Sequence, residues 1–263
     1  MTNGAMDLVR AAHAGPALAV TVLAGLLGVA ADLTPLRALT VTAAVLAGQL
    51  SVGWSNDLRD RVRDTAVGRR DKPLATGELK VSTVERACAL AVAATVVLSL
   101  LCGPLAGAVH LLCVASAWTY NLWLKGTVAS WVPYAVSFGA LPVFIHRAGD
   151  SWPPREVIVG GALLGVGAHL LNVVPDLAQD AATGIRGLPH RLGARASTLL
   201  AVGLLVTATV LLLVAGQMST GPTLVGAIGV AGLAVVALVG TGRAPFFAAV
   251  GIALMDVAML VVR

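Results

Sequence analysis

Apolar runs of about 20 residues, long enough to cross a bilayer as helices, alternate with short polar stretches along this chain. They fall near residues 14–31, 36–54, 81–101, 104–124, 127–146, 155–174, 196–215, 221–240 and 243–262. The pattern predicts an all-α polytopic membrane protein with nine transmembrane helices. Only Gly103 and Pro104 divide the two runs within 81–124. The first run lacks a strongly basic flank and a small-residue cleavage site, so it reads as a retained helix and not as a removable leader.

Two of the polar interruptions repeat one another. Asn56, Asp60, Asp64, Gly68, Arg70, Pro73 and Gly77 align in order and spacing with Asn172, Asp176, Asp180, Gly184, Arg186, Pro189 and Gly193, an offset of 116 positions. Each copy follows the second apolar run of a four-run unit. The chain is therefore expected to form a single membrane domain, 1–263, with related units at about 14–124 and 127–240 and a ninth helix at 243–262. Internal repeats of this kind build membrane sites at the interface between the halves. Asn, Asp, Arg and Pro are scarce inside apolar helices, so their recurrence at matched positions is a signal even in a glycine-rich chain.

Composition narrows the class. The chain is 57% hydrophobic and 12% charged, against roughly 25% charged residues in an ordinary soluble domain, and its mean hydropathy is +0.88. Nine spans put the N-terminus and alternate loops on one side. That side collects Arg10, the basic run from Arg59 to Lys80, Lys125, Arg186, Arg191, Arg195 and Arg243, while Arg37, Arg147, Arg155 and Arg263 fall on the other. Excess positive charge in short loops marks the cytoplasmic face, so both Asp motifs are expected there, at the plasma membrane if the source is prokaryotic. The net charge of +5 then reflects topology and substrate electrostatics, not nucleic-acid binding. Cys88, Cys102 and Cys113 have neither C-x-x-C nor disulfide-framework spacing and are expected to be small buried apolar residues.

The candidate chemistry lies in the repeat. Asn56, Asp60 and Asp64 are spaced i, i+4, i+8, as are Asn172, Asp176 and Asp180, so a continuing helix would display each set as one stripe. Clustered carboxylates without Cys or paired His form a hard oxygen site of the kind Mg²⁺ prefers. Two facing stripes would hold the metal between them, with Asn56, Asp60, Asp64, Asp176 and Asp180 nearest. Arg70, Lys72 and Arg186 are natural phosphate partners. Such an arrangement at a membrane face suits a substrate with phosphates and a hydrocarbon tail, because bridged metal stabilises the charge developing on a departing diphosphate. The competing reading of the first copy, a solvated loop whose Asp and Arg residues pair, loses ground to the second copy, which emerges directly from an apolar run. His169 precedes Asn172 by three residues and fits either a substrate contact or helix packing.

These residues resemble the UbiA superfamily of intramembrane prenyltransferases. The family signature N-D-x-x-D-x-x-x-D is matched by Asn56, Asp57, Asp60 and Asp64, and the R-x-x-K/R-P-L-x-x-G run after it by Arg69, Lys72, Pro73, Leu74 and Gly77. The second signature, D-x-x-x-D and then G-x-R/K, is matched by Asp176, Asp180, Gly184 and Arg186. The resemblance implies that the Asp residues bind a prenyl diphosphate through Mg²⁺ and that the prenyl cation passes to an acceptor. Many members also carry Y-x-x-x-K on a middle cytoplasmic loop; here Tyr120 and Lys125 stand one residue further apart. Arg10, with Pro16 after it, resembles the Arg that precedes a Pro near the start of the first helix.

The expected protein is thus a nine-helix, UbiA-like membrane enzyme that ionises an allylic isoprenyl diphosphate and alkylates an aromatic or other lipid-precursor acceptor. Asp60, Asp64, Asp176 and Asp180 are the expected catalytic residues. Arg10, Asn56, Asp57, Arg69, Arg70, Lys72, Tyr120, Lys125, Asn172 and Arg186 are expected to hold substrate. A membrane terpene cyclase is the first rival, although only 4% of residues are aromatic and cyclases need aromatic faces for cations. An ion-coupled transporter is the second, disfavoured by carboxylates at helix ends and not at mid-bilayer.

Overall fold

The computed structural model describes residues 4–216 and 220–262, in which helices alone form the regular structure. In order they are α1 (Gly4–Ala11), α2 (Ala14–Ala30), α3 (Pro35–Ala66), short α4 (Pro73–Thr76), α5 (Val81–Leu101) and α6 (Pro104–Thr119). They continue with α7 (Val132–Ala148), α8 (Arg155–Val173), short α9 (Leu177–Ala182) and α10 (Leu188–Leu192), α11 (Ala194–Gly216), α12 (Thr220–Val239) and α13 (Ala244–Val261).

Each predicted apolar run falls on one of these helices, while the count of nine crossings is not confirmed among the described residues. Seven described helical segments are long and apolar enough to span a membrane, or eight if the bent pair α1 and α2 counts as one. α2 reaches that length only with α1, from which it bends by 69° at His13, and α12 is shorter over its fully described part, Thr223–Val239.

Prolines at the first turns of α3, α6, α7 and α13 open these helices, where their missing N–H costs nothing. The long helices close into a ring in which successive members pack together and α13 returns against α2. Phe144, Ile145, Leu170, Leu171, Leu205 and Ile252 fill its core. All three cysteines are buried and free, as expected.

Two boundaries differ from the sequence reading. α3 does not stop near residue 54 but continues to Ala66, 32 residues in all, through the whole first motif, because its late carboxylates find partners within the protein. α8 does the opposite. Pro175 removes an N–H and crowds the preceding turn, so the chain passes through a 3-10 turn at Val174–Asp176 before α9. The second Asn/Asp stripe is therefore broken between Asn172 and Asp176 and is not one straight row.

Candidate active site at one end of the bundle

The carboxylates of the first motif face the protein: Asp57, Asp60 and Asp64 are 2%, 8% and 4% exposed. Buried carboxylates are costly unless paired. Asp60 Oδ2 accepts from Lys125 Nζ at 2.6 Å, and Arg63 Nη2 lies 2.8 Å from it and 3.6 Å from Asp64 Oδ1. Asn56 donates to Asn121 Oδ1 at 3.2 Å, and the Asn121 amide donates in turn to Val52 O and Ser55 Oγ. Asn56 is thereby oriented from across the site.

Asp57, itself buried, belongs to a separate, part-buried knot. Its Oδ1 accepts from Lys72 Nζ and lies 2.9 Å from His13 Nε2, which is itself 2.6 Å from Lys72 Nζ. His13 occupies the left-handed region, φ 54°, uncommon for a residue with a side chain. The resulting bend between α1 and α2 aims its ring at Asp57. Gly53, one turn earlier on α3, lets α1 approach this closely, since a Cβ there would lie 2.1 Å from the Ala12 carbonyl oxygen. Gly53→Ala is expected to push α1 off α3 at a cost of about 1–3 kcal/mol. Thermal unfolding in detergent measures this; an unchanged midpoint would contradict so tight a contact.

The two motif copies close their helices alike. Gly68 and Gly184 both have positive φ, 69° and 83°. In each copy the next residue's N–H returns to the last motif Asp carbonyl, Arg69 to Asp64 and Ile185 to Asp180, both at 3.0 Å. This six-to-one bond is the Schellman closure, and the repeat is therefore structural as well as sequential. Pro73 and Pro189 then sit in the first turns of α4 and α10.

Shared basic residues bring the copies together. Lys125 and Arg63, which hold Asp60, also lie within electrostatic reach of Asp180. Arg69 lies within reach of Asp64 and Asp176 and donates from Nη1 to Gln179 Oε1 at 3.2 Å. Its other donors grip Asp71 in a two-point contact at 2.8 and 2.7 Å, and those hydrogen bonds hold the Asp71 carboxyl down at about 2. His190 Nε2 is 3.6 Å from Asp180 Oδ2, and burial pushes the imidazole below its ordinary value against the pull of that carboxylate.

The extra residue between Tyr120 and Lys125 is absorbed by the backbone. Tyr120–Leu124 forms a π-helical turn, and the Lys125 N–H bonds to the Tyr120 carbonyl at 3.0 Å. A widened turn accommodates one more residue without rotating the later side chains onto another face, and such turns concentrate at functional sites. Lys125 therefore still reaches Asp60. Tyr120 lies within electrostatic reach of Asp60 and Asp180, meeting Tyr134 and His169 edge to face at 5.2 and 5.6 Å.

The remaining sequence candidates lie further out. Arg10 is turned to Asp7 at 3.3 Å and to Glu78 at 4.0 Å. Arg70 and Arg186 are exposed, and Asn172 is partly buried on α8. His169 is fully buried, with Nε2 3.1 Å from Ser130 Oγ and its ring stacked on Tyr134, which favours packing over substrate contact. Sequence reasoning missed Arg63, His13, Asn121, Gln179 and His190. Arg63 had a signal, its i+3 position from Asp60; the others have none at the level of spacing.

Among the described residues, no three His, Cys, Asp or Glu side chains converge as a ready-made metal cage. The donor set nonetheless fits a hard cation that completes its shell with water and phosphate, since four motif carboxylates gather at one end around shared basic groups. On the α3 face below Asn56 lies a partly open pocket, bounded by Val45, Gln49, Val52, His110, Ala117 and Phe138 among others.

The fold and motifs agree with comparisons to known proteins. A model of the UbiA prenyltransferase family matches residues 17–255. A ligand-free UbiA homolog from Aeropyrum pernix K1 superposes with a TM-score of 0.75 at 15% identity, over 100% of this chain and 99% of that one. A UbiA homolog from Archaeoglobus fulgidus, bound to GPP and Mg²⁺, gives 0.73 at 14% identity, over 98% and 100%. A digeranylgeranylglyceryl phosphate synthase gives 0.68 at 15% identity, over the whole of both chains. No curated protein matches the chain. The match to most of the chain, with both Asp signatures at one end of the bundle, shows that this protein belongs to the UbiA prenyltransferase family.

Proposed function

We propose that this protein ionises an allylic isoprenyl diphosphate with Mg²⁺ and transfers the prenyl group to an acceptor within the membrane. The observation that carries the reading is Lys125, hydrogen-bonded to Asp60 of one motif and within reach of Asp180 of the other. Two motifs that share their counter-charges at the mouth of an apolar cavity suit one diphosphate head and its tail. The A. fulgidus homolog bound to GPP and Mg²⁺ and the family match support the same substrate class.

Asn56, Asp60, Asp64, Asp176 and Asp180 would hold the metal, which when bound supplies positive charge against the diphosphate oxygens. Lys125 and Arg69 hold the diphosphate as the allylic C–O bond breaks and the electron pair leaves with it. The apolar walls exclude water from the allylic cation until the acceptor nucleophile attacks. The Tyr120, Tyr134 and His169 cluster beside the motifs gives a cyclase one supporting observation, as aromatic faces stabilise cations.

Membranes incubated with labelled geranyl, farnesyl and geranylgeranyl diphosphates, with and without an acceptor extract, test the reading. Prenylated acceptor is expected; a cyclic hydrocarbon made without acceptor would favour the cyclase, and intact diphosphates would sink both. The site is also proposed to face the cytoplasm. Single Cys reporters at Thr65 and Thr183, in a chain freed of its three cysteines, should react only from that side. Labelling from outside intact cells would reverse the orientation.

A further inference from the structure

A second cavity lies deeper in the bundle behind the first. Both count Phe138 and Leu141 of α7 among their walls. The cavities differ in position along the helices. The first runs on α3 from Val52, one turn below Asn56, to Val45, and on α6 from Ala117, one turn below Asn121, to His110. At 1.5 Å per residue that is a depth of roughly 10 Å. The second is walled by Leu23 and Leu27 of α2, Leu164 of α8, Leu212 of α11 and Ala253 of α13, with no polar side chain among its lining residues.

We propose that Phe138 and Leu141 are the partition that sets prenyl chain length, confining the tail to the first cavity and shutting it out of the second. The inference rests on the proposed prenyl transfer and deepens it. Two of the polar wall groups of the first cavity are already committed, His110 Nδ1 to Ser99 Oγ at 2.7 Å and Ser137 Oγ to the Cys113 carbonyl at 2.9 Å, and Gln49 lies toward the mouth, one turn above Val45. The rest of the wall is mostly apolar, which suits hydrocarbon. Phe138 cannot retreat, because α8 presses on its backbone. A Cβ at Gly161 would lie 2.6 Å from the Phe138 carbonyl oxygen, and one at Gly165 2.7 Å from the Phe138 Cβ. The partition is thus a ring on a fixed stretch of backbone, and removing the ring joins the two spaces.

The experiment compares kcat/KM for geranyl and geranylgeranyl diphosphates, alongside the binding of non-hydrolysable analogues of both lengths. Wild type should favour the shorter chain. Phe138→Ala should shift the ratio toward the longer chain by about 10-fold or more, the scale on which apolar pockets sort substrates by size. Filling the second cavity with Ala253→Phe should leave short-chain turnover intact alone and cancel the long-chain gain in the Phe138→Ala background. Leu141→Ala provides the same opening if loss of the Phe138 ring prevents folding. A wild-type enzyme that is active but whose length preference survives both openings would overturn the partition alone. A wild-type protein that turns over neither diphosphate would overturn the prenyl-transfer reading itself.

Discussion

Asp60→Asn, Asp176→Asn and the double variant are expected to share nearly the same residual rate of prenyl transfer. Asp60 and Asp176 stand in different copies of the motif, 116 positions apart, yet the two copies share basic residues. Lys125 and Arg63 connect Asp60 to Asp180, and Arg69 connects Asp64 to Asp176. If both copies act on one diphosphate, losing either disables the whole unit and the second loss costs little more. Two independent sites would give roughly additive losses. Each single variant should also lose Mg²⁺-dependent binding of a non-hydrolysable prenyl diphosphate analogue. One copy that still binds the analogue with full Mg²⁺ dependence after the other is disabled would refute the shared site.

Lys125→Gln is expected to lower kcat/KM by about 100-fold or more, the scale of removing one positioned charge from a developing oxyanion. The fold should survive, since Arg63 still lies 2.8 Å from Asp60 Oδ2 and the carboxylate is not stranded. Arg61→Gln is the control. It lies off the Asn/Asp stripe, and most activity should remain. Steady-state kinetics with a single prenyl diphosphate separate the two; near-normal kcat/KM in Lys125→Gln would remove this residue from the diphosphate site.

The apolar helices and the family are legible in the sequence because lipid demands long apolar runs and the Asp signatures are rare within them. The reach of α3 is legible only in part. Periodicity aligns Asn56, Asp60 and Asp64, but whether the helix survives past Trp54 depends on partners such as Lys125, more than 60 positions away. Pro175 announces the break in the second stripe, which spacing alone hides. The added residue between Tyr120 and Lys125 is visible in sequence, yet its effect is not. One insertion in a helix either rotates every later side chain or widens a single turn, and only packing decides. His13 is the least legible of all, since its role rests on a left-handed backbone angle and a neighbour 44 positions away.

The length of α3 has a consequence for how the reaction ends. Its 32 residues extend about 48 Å, while the hydrocarbon layer of a bilayer is about 30 Å thick. A helix that begins at the opposite interface would leave the oily layer near Trp54, which would put the segment from Asn56 to Asp64 in the headgroup zone. The proposed transfer there would deliver its two products into different phases. Diphosphate would escape to water and a prenylated lipid would partition into the membrane. On the proposed transfer, one over-long helix thus separates the two products by phase as they form, while the direction of the reaction stays with its chemical equilibrium.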